Sequence, residues 1–244
     1  MTTEPIAADV VSLNLMTIEG QRAFITAHVV GESGIPRRYQ EGFALWKNLA
    51  PEFPVLRGAA MAWIGQFGSA PPWTESVTKL PERGLAFIGQ TGCGKSLLAA
   101  CIARALIERG VSVKWQNALE LFSRIRRSWN KEGEESEGDI LEDMTRPQVL
   151  FLDDLGKEKP TRWVLERLYT ILERRFSDQK IICFTSNDSG AALVEKMRGD
   201  GCEDLAEPII SRLSGMCDTI GEFPKTDFRR KQPMAIVEPT KERG

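Results

Sequence analysis

Gly89-Gln90-Thr91-Gly92-Cys93-Gly94-Lys95-Ser96 satisfies every position of the pattern G-x-x-x-x-G-K-[ST], in which backbone N–H groups close around phosphate oxygens. Glycines at 89, 92 and 94 open backbone angles closed to other residues, so successive amides can turn inward on an anion. Lys95 is placed to reach the β and γ phosphates, and Ser96 supplies a hydroxyl for the Mg²⁺ that accompanies ATP. A helix starting there aims the positive end of its dipole at the same phosphates. The candidate nucleotide-binding set is therefore Gly89, Gln90, Thr91, Gly92, Cys93, Gly94, Lys95, Ser96 and Leu97.

The flanks decide between this reading and a plain glycine-rich turn. Leu85-Ala86-Phe87-Ile88 reads as a buried strand entering the loop, and Leu97 to Arg109 reads as a helix leaving it. Apolar residues at 97, 98, 102, 105 and 106 recur at helical spacing, and Gly110 stands where a helix stops.

Farther along, Val149-Leu150-Phe151-Leu152 is a buried-strand run that ends in Asp153-Asp154. Such a pair is the second half of a nucleotide site: Asp153 as Mg²⁺ ligand, Asp154 as the group that orients or deprotonates the attacking water. Capping of a turn is the competing role for two aspartates. Lys180 to Phe184 reads as a further strand, whose polar end Thr185-Ser186-Asn187 either senses a γ-phosphate or simply terminates the strand.

Composition bounds the rest. The chain has 244 residues with 42% hydrophobic content, enough for one main core with a small N-terminal appendage. A net charge of -2 and a pI near 5.7 argue against a globally basic nucleic-acid binder, so any such contact needs a local patch. No apolar run approaches the roughly 20 residues that span a bilayer, and the N-terminus lacks a signal pattern; the expectation is a soluble cytoplasmic protein without membrane contact. Five cysteines without C-x-x-C spacing and the single His28 point to reduced thiols and away from a zinc site.

Around this centre, residues 19–30 read as a short amphipathic helix that ends at Gly31 to Gly34. It either docks to another protein or folds back on the main domain. Helical pieces follow at 40–49 and 57–67, then a Pro-containing connection over 69–81. Ser112 to Trp115 reads as a strand, and Ala118 to Trp129 as a helix carrying Arg124, Arg126 and Arg127. The acidic run from Glu132 to Asp143 reads as a solvated loop. Arg162 to Phe176 reads as a helix.

Taken in order, the phosphate loop, Asp153-Asp154-Leu155-Gly156, Thr185-Ser186-Asn187, Ser211-Arg212-Leu213 and Asp227-Phe228-Arg229 resemble the AAA+ ATPases of the DnaC/DnaI helicase-loader group. Ile35-Pro36-Arg37-Arg38-Tyr39 is similar to an I-P-x-R-[YF] element of those proteins, and the likeness runs from about Ile35 to Arg230. It implies a three-layer α/β P-loop fold with a five-stranded parallel sheet, order 5-1-4-3-2. The short stretch beyond Arg229 leaves no room for a sizeable helical lid. The implied division is an N-terminal partner-docking segment (1–34), a helical lead-in and linker (35–82), the ATPase core (83–235) and a C-terminal tail (236–244).

The resemblance also implies roles. Asn187 would be sensor 1, Arg212 an arginine finger reaching a neighbouring subunit's ATP, and Arg229, or Arg230 in its place, the sensor 2 arginine. With Lys95 and Asp154 these form the implied catalytic set, and Ser96 and Asp153 the metal set. The implied function is ATP-driven delivery of a hexameric replicative helicase to single-stranded DNA, by a loader that self-assembles alone or on its partner. Arg124, Arg126 and Arg127 would meet DNA phosphates and Phe122 or Trp129 would stack on bases. Asp154, where many AAA+ members have Glu, suits slow turnover. An IstB-type transposition ATPase that recruits a transposase on DNA, and a nucleotide-dependent adaptor with negligible hydrolysis, are the alternatives; the Asp-Asp-Leu-Gly turn favours the loader.

Overall fold

A computed structural model describes residues 27–40, 53–68, 79–129, 135–198 and 202–231. Its centre is one sheet of five parallel strands in the order β2-β3-β4-β1-β5, which is 5-1-4-3-2 read from the other edge, as expected. The strands are β1 (Gly84–Ile88), β2 (Val113–Asn117), β3 (Val149–Leu155), β4 (Ile181–Ser186) and β5 (Cys217–Thr219). Before β1 come α1 (Arg37–Gln40) and α2 (Pro54–Ile64); between the strands run α3 (Lys95–Ile107), α4 (Ala118–Trp129), α5 (Glu137–Thr145), α6 (Arg162–Ser177), α7 (Gly190–Arg198) and α8 (Glu203–Met216). A 3-10 turn at Phe228–Lys231 follows.

Side-chain alternation along the strands divides the core in two. Phe87, Phe151 and Cys183 face one side, packed under α3 and the N-terminal helices. Ala86, Leu150, Leu152, Ile182 and Phe184 face the other, under α4 to α8. Because both faces are covered, the central strands β3 and β4 are apolar through their first four residues, as the run Val149 to Leu152 suggested.

At the lower end of the sheet one cation replaces the usual apolar plug. Arg175, fully buried on α6, donates from Nη1 to the carbonyls of Met144 and Pro147 at 2.8 and 3.1 Å. Its Nη2 donates to Gln148 at 3.0 Å and also to Ile181. No carboxylate is among these partners. The guanidinium instead ties the end of α5 to the starts of β3 and β4. Arg175→Leu is expected to cost about 3 kcal/mol, because several buried carbonyls lose their donor at once. The Tm should drop by roughly 10 °C, read by thermal denaturation; an unchanged Tm would show that water takes over those carbonyls.

The N-terminal segment folds back where it is described. Helical residues run from 27 to 32, through Gly31, and Val30, Ser33 and Ile35 are buried against the sheet. The Ser33 carbonyl accepts the Trp115 N–H at 2.7 Å, so the outer rim of β2 is occupied by the chain's own backbone. Gly34 makes this approach feasible: its φ is +85°, and a Cβ would lie 2.4 Å from the Trp115 carbonyl oxygen. His28 is an exposed helical side chain 3.3 Å from Glu32. The helical piece expected at 40–49 and most of the 69–81 connection lie outside the described residues.

Several boundaries differ from expectation. α3 begins at Lys95 and ends at Ile107, β2 starts at Val113, and the helix expected at 57–67 is Pro54–Ile64, entered through proline at its first turn. β4 continues through Thr185 and Ser186. The acidic run is not all loop: α5 starts inside it on a capping box. The Ser136 hydroxyl accepts the Asp139 N–H, and the Asp139 carboxylate accepts the Ser136 N–H. Ile140, Leu141 and Met144 bury its inner face, which outweighs the run's charge.

Candidate nucleotide site

The phosphate loop leaves β1 in a conformation that calls for two of its glycines. Gly92 and Gly94 have φ of +81° and +97°. A Cβ at Gly92 would lie 1.8 Å from the Asp227 carboxylate, and the Gly92 carbonyl accepts the Phe228 N–H at 3.0 Å. The segment just before the final 3-10 turn is thus laid directly on the loop.

α3 then starts with Lys95, 5% exposed, whose Nζ donates to the Gln90 carbonyl and to Asn187 Oδ1, each at 2.8 Å. Burial pulls its amino group below the usual lysine range. Ser96 Oγ donates to Asp153 Oδ1 at 2.7 Å, so the loop and the end of β3 close on each other. Asp153 is 5% exposed, and burial pushes its carboxyl up. A hydroxyl and a buried carboxylate are the hard oxygen donors that Mg²⁺ takes beside phosphate oxygens. The chemistry of this pair fits the metal. Among the described residues no three His, Cys, Asp or Glu side chains gather to cage an ion without phosphate.

Thr185 couples the two aspartates. Its hydroxyl donates to Asp153 Oδ1 at 2.7 Å and accepts the Asp154 N–H at 2.9 Å. β3 has an irregularity in its pairing with β4 between Leu152 and Leu155, and Asp154 sits there at φ +63°, a conformation aspartate tolerates better than most residues. The backbone thus splits the roles: Asp153 turns into the fold against Ser96, whereas Asp154 opens onto the cleft. Of the polar strand end only Asn187 lines the cleft; Thr185 and Ser186 are buried, the latter donating to the Leu155 carbonyl at 2.8 Å.

Thr91, Gly92, Gly94, Lys95, Ser96, Leu97, Asp154, Asn187 and Arg229 share one open cleft. The Cys93 side chain is fully buried with its Sγ 3.9 Å from Lys95 Nζ, and the other four cysteines are buried as well. The side chain of Arg230 lies outside those described. Three lining residues were not foreseen as part of the site: Tyr39, Phe228 and Lys157. Tyr39 and Phe228 arrive from opposite ends of the chain, one with Arg38 over its ring at 4.7 Å, the other edge-on to Phe53 at 5.5 Å. The Asp-Phe-Arg triplet held a signal for Phe228, but nothing local marks Lys157.

Arg212 is not in this cleft. It projects from α8, 2.7 Å from Glu173 Oε2 and stacked 4.3 Å over the half-exposed Phe176 ring. That hydrogen bond holds the Glu173 carboxyl below the usual carboxylate range.

The DNA-contact expectations for α4 need correction in part. Phe122 is 2% exposed and packs edge-on to Trp163, so it is a core residue and offers no face to a base. Arg124 is held by Glu135 at 2.6 Å, Asp143 at 3.5 Å and Gln116 at 3.0 Å, which removes it as a free phosphate contact. Arg126 lies over the Trp163 ring at 5.2 Å, and Arg127 is exposed. Trp129 is 51% exposed, edge-on to Trp163, with its indole N–H on Glu137.

A family model described as IstB-like ATP binding protein matches residues 79–234. Over 136 residues the chain is 33% identical to the replicative helicase loader DnaI of Bacillus subtilis (strain 168), covering 54% of this chain and 43% of that protein. It spans less than half the length of the curated relatives it matches. Among solved structures, DnaI superimposes with a TM-score of 0.55 at 24% identity, over 68% of this chain and 82% of that one. The DnaC helicase loader superimposes with a TM-score of 0.51 at 22% identity, over 66% and 84%. These likenesses speak for the AAA+ P-loop fold, and no helix of the described residues is long and apolar enough to cross a membrane. With its glycine loop closed onto a buried aspartate at the end of β3, the chain belongs to the family of IstB-like ATP binding proteins.

Proposed function

We propose that this chain binds and hydrolyses Mg²⁺-ATP and uses the nucleotide state to deliver a hexameric replicative helicase to single-stranded DNA. The observation that carries the nucleotide reading is the convergence of Lys95, Ser96, Asp153, Asp154 and Asn187 from three separate elements. The loader reading is supported by the 33% identity to a replicative helicase loader.

In this reading the loop amides and Lys95 cradle the β and γ phosphates, while Ser96 and Asp153 hold Mg²⁺. The metal, when bound, neutralises charge on the phosphate oxygens. Asp154 takes a proton from the water that attacks the γ-phosphorus, Asn187 positions that water, and Arg229 meets the phosphates within the same subunit. Arg212, outside its own cleft, serves a neighbour's, so the complete site belongs to an oligomer. DNA contact falls to Arg126, Arg127 and the exposed Trp129. Helicase docking falls to the segment preceding residue 27, because Val30, Ser33 and Ile35 are committed to the core.

The family model's name favours a second reading, a transposition ATPase that recruits a transposase. Purified protein should be captured by an immobilised replicative helicase and not by an immobilised transposase; capture by the transposase alone would overturn the loader reading. Phosphate release should rise severalfold when single-stranded DNA is added, and an undetectable rate under both conditions would leave an adaptor without hydrolysis.

A further inference from the structure

Lys157 follows Asp154 by three residues, beyond the turn made by Gly156 at φ +90°. Its Nζ lies 2.8 Å from Asp154 Oδ2, and both residues line the cleft with Lys95 and Asn187. Asn117 Nδ2 approaches the same Oδ2 at 3.5 Å. The carboxylate assigned to water activation is therefore occupied by a cation of its own chain. The charge of Lys157 also reaches Lys95, where it adds to the lowering caused by burial.

We propose that Lys157 is a second lysine for the terminal phosphate of ATP: it covers Asp154 when that phosphate is absent and leaves it for the γ-phosphate when ATP enters. This rests on the nucleotide reading above. The side chain is 44% exposed and carries three donors on a flexible stem, so its head can change partner without moving the backbone. A partly exposed pair three residues apart is a weak hold, whereas a γ-phosphate offers more negative charge and more acceptors than one carboxylate. Asp154 is then uncovered only in the presence of the bond it helps to break. ADP, which lacks the γ-phosphate, leaves the pair in place. Lys157 thereby sets how well the cleft distinguishes ATP from ADP.

Titration of fluorescent ADP, and of a fluorescent ATP analogue with a methylene bridge between its β and γ phosphorus atoms, tests this directly. Lys157→Ala should lower the ATP-analogue to ADP affinity ratio by about tenfold, with ADP affinity nearly unchanged. Lys157→Arg should keep most of the ratio, which a purely structural lysine would not predict. An unchanged ratio in Lys157→Ala, or equal losses for both nucleotides, overturns the proposal alone. Wild-type protein that binds neither nucleotide overturns it together with the reading of the cleft.

Discussion

Lys95→Ala protein is expected to bind ATP at least about 100-fold more weakly than wild type, yet to melt no lower in the absence of nucleotide. The first half follows from a charge-assisted contact to the triphosphate, in a cleft whose remaining loop contacts come largely from backbone amides. The second follows from burial. Lys95 is 5% exposed and its charge is satisfied by a carbonyl and an amide oxygen, so the folded chain bears the cost of an ammonium pulled out of water. Its pKa is lower in the folded than in the unfolded chain, so folding releases protons and stability rises with pH through this group's range. Removing the amine removes that cost. Equilibrium binding and thermal melts on one preparation give both numbers. A variant that keeps its affinity would displace the octet from the centre of the site, and one that melts far lower would make Lys95 a structural residue.

The second large effect concerns the arginine outside its own cleft. Arg212→Ala should bind ATP within about twofold of wild type and lose roughly 100-fold or more of partner-stimulated hydrolysis. Stability should hardly change: the Arg212–Glu173 pair is 30% and 36% exposed, and such pairs contribute about 0–1 kcal/mol. Mixing gives the sharper measurement. Arg212→Ala supplies intact clefts without a finger, and Lys95→Ala supplies fingers without a working cleft, so the mixture should hydrolyse ATP faster than either alone. A fully active Arg212→Ala protein, or a mixture no better than its components, removes the role in trans. In that reading, the stack on Phe176 and the pair with Glu173 are the contacts Arg212 would leave to reach a neighbour.

The central loop and its flanks were legible because they are local. Eight consecutive residues define the loop, and four apolar residues before two aspartates define β3. The helix over Ala118–Trp129 was readable from its periodicity and has those bounds. The same periodicity, Ala118, Leu121, Phe122 and Ile125, puts Phe122 on the buried face, where it cannot stack on a base. A Ser136-x-x-Asp139 capping box likewise stood inside the acidic run. Other features had no local trace. The clamp on Arg124 joins β2, α5 and Glu135 two residues before it, and the cleft walls Tyr39 and Phe228 meet only after the sheet has formed. Lys157 has no local signal either, because its meaning depends on the left-handed turn at Asp154, which no residue type announces.

The backbone contact between Ser33 and Trp115 also limits how copies of this chain can associate. A bare margin of hydrogen-bonding groups invites another polypeptide to continue the pleat, the route to runaway fibrils. Here the Trp115 amide on one margin is taken by the chain's own Ser33 carbonyl, and the opposite margin, β5, is three residues long with Asp218 and Thr219 exposed. In the oligomer proposed above, neighbours would then meet through side chains of the outer helices, Arg212 on α8 among them, and not through a shared sheet.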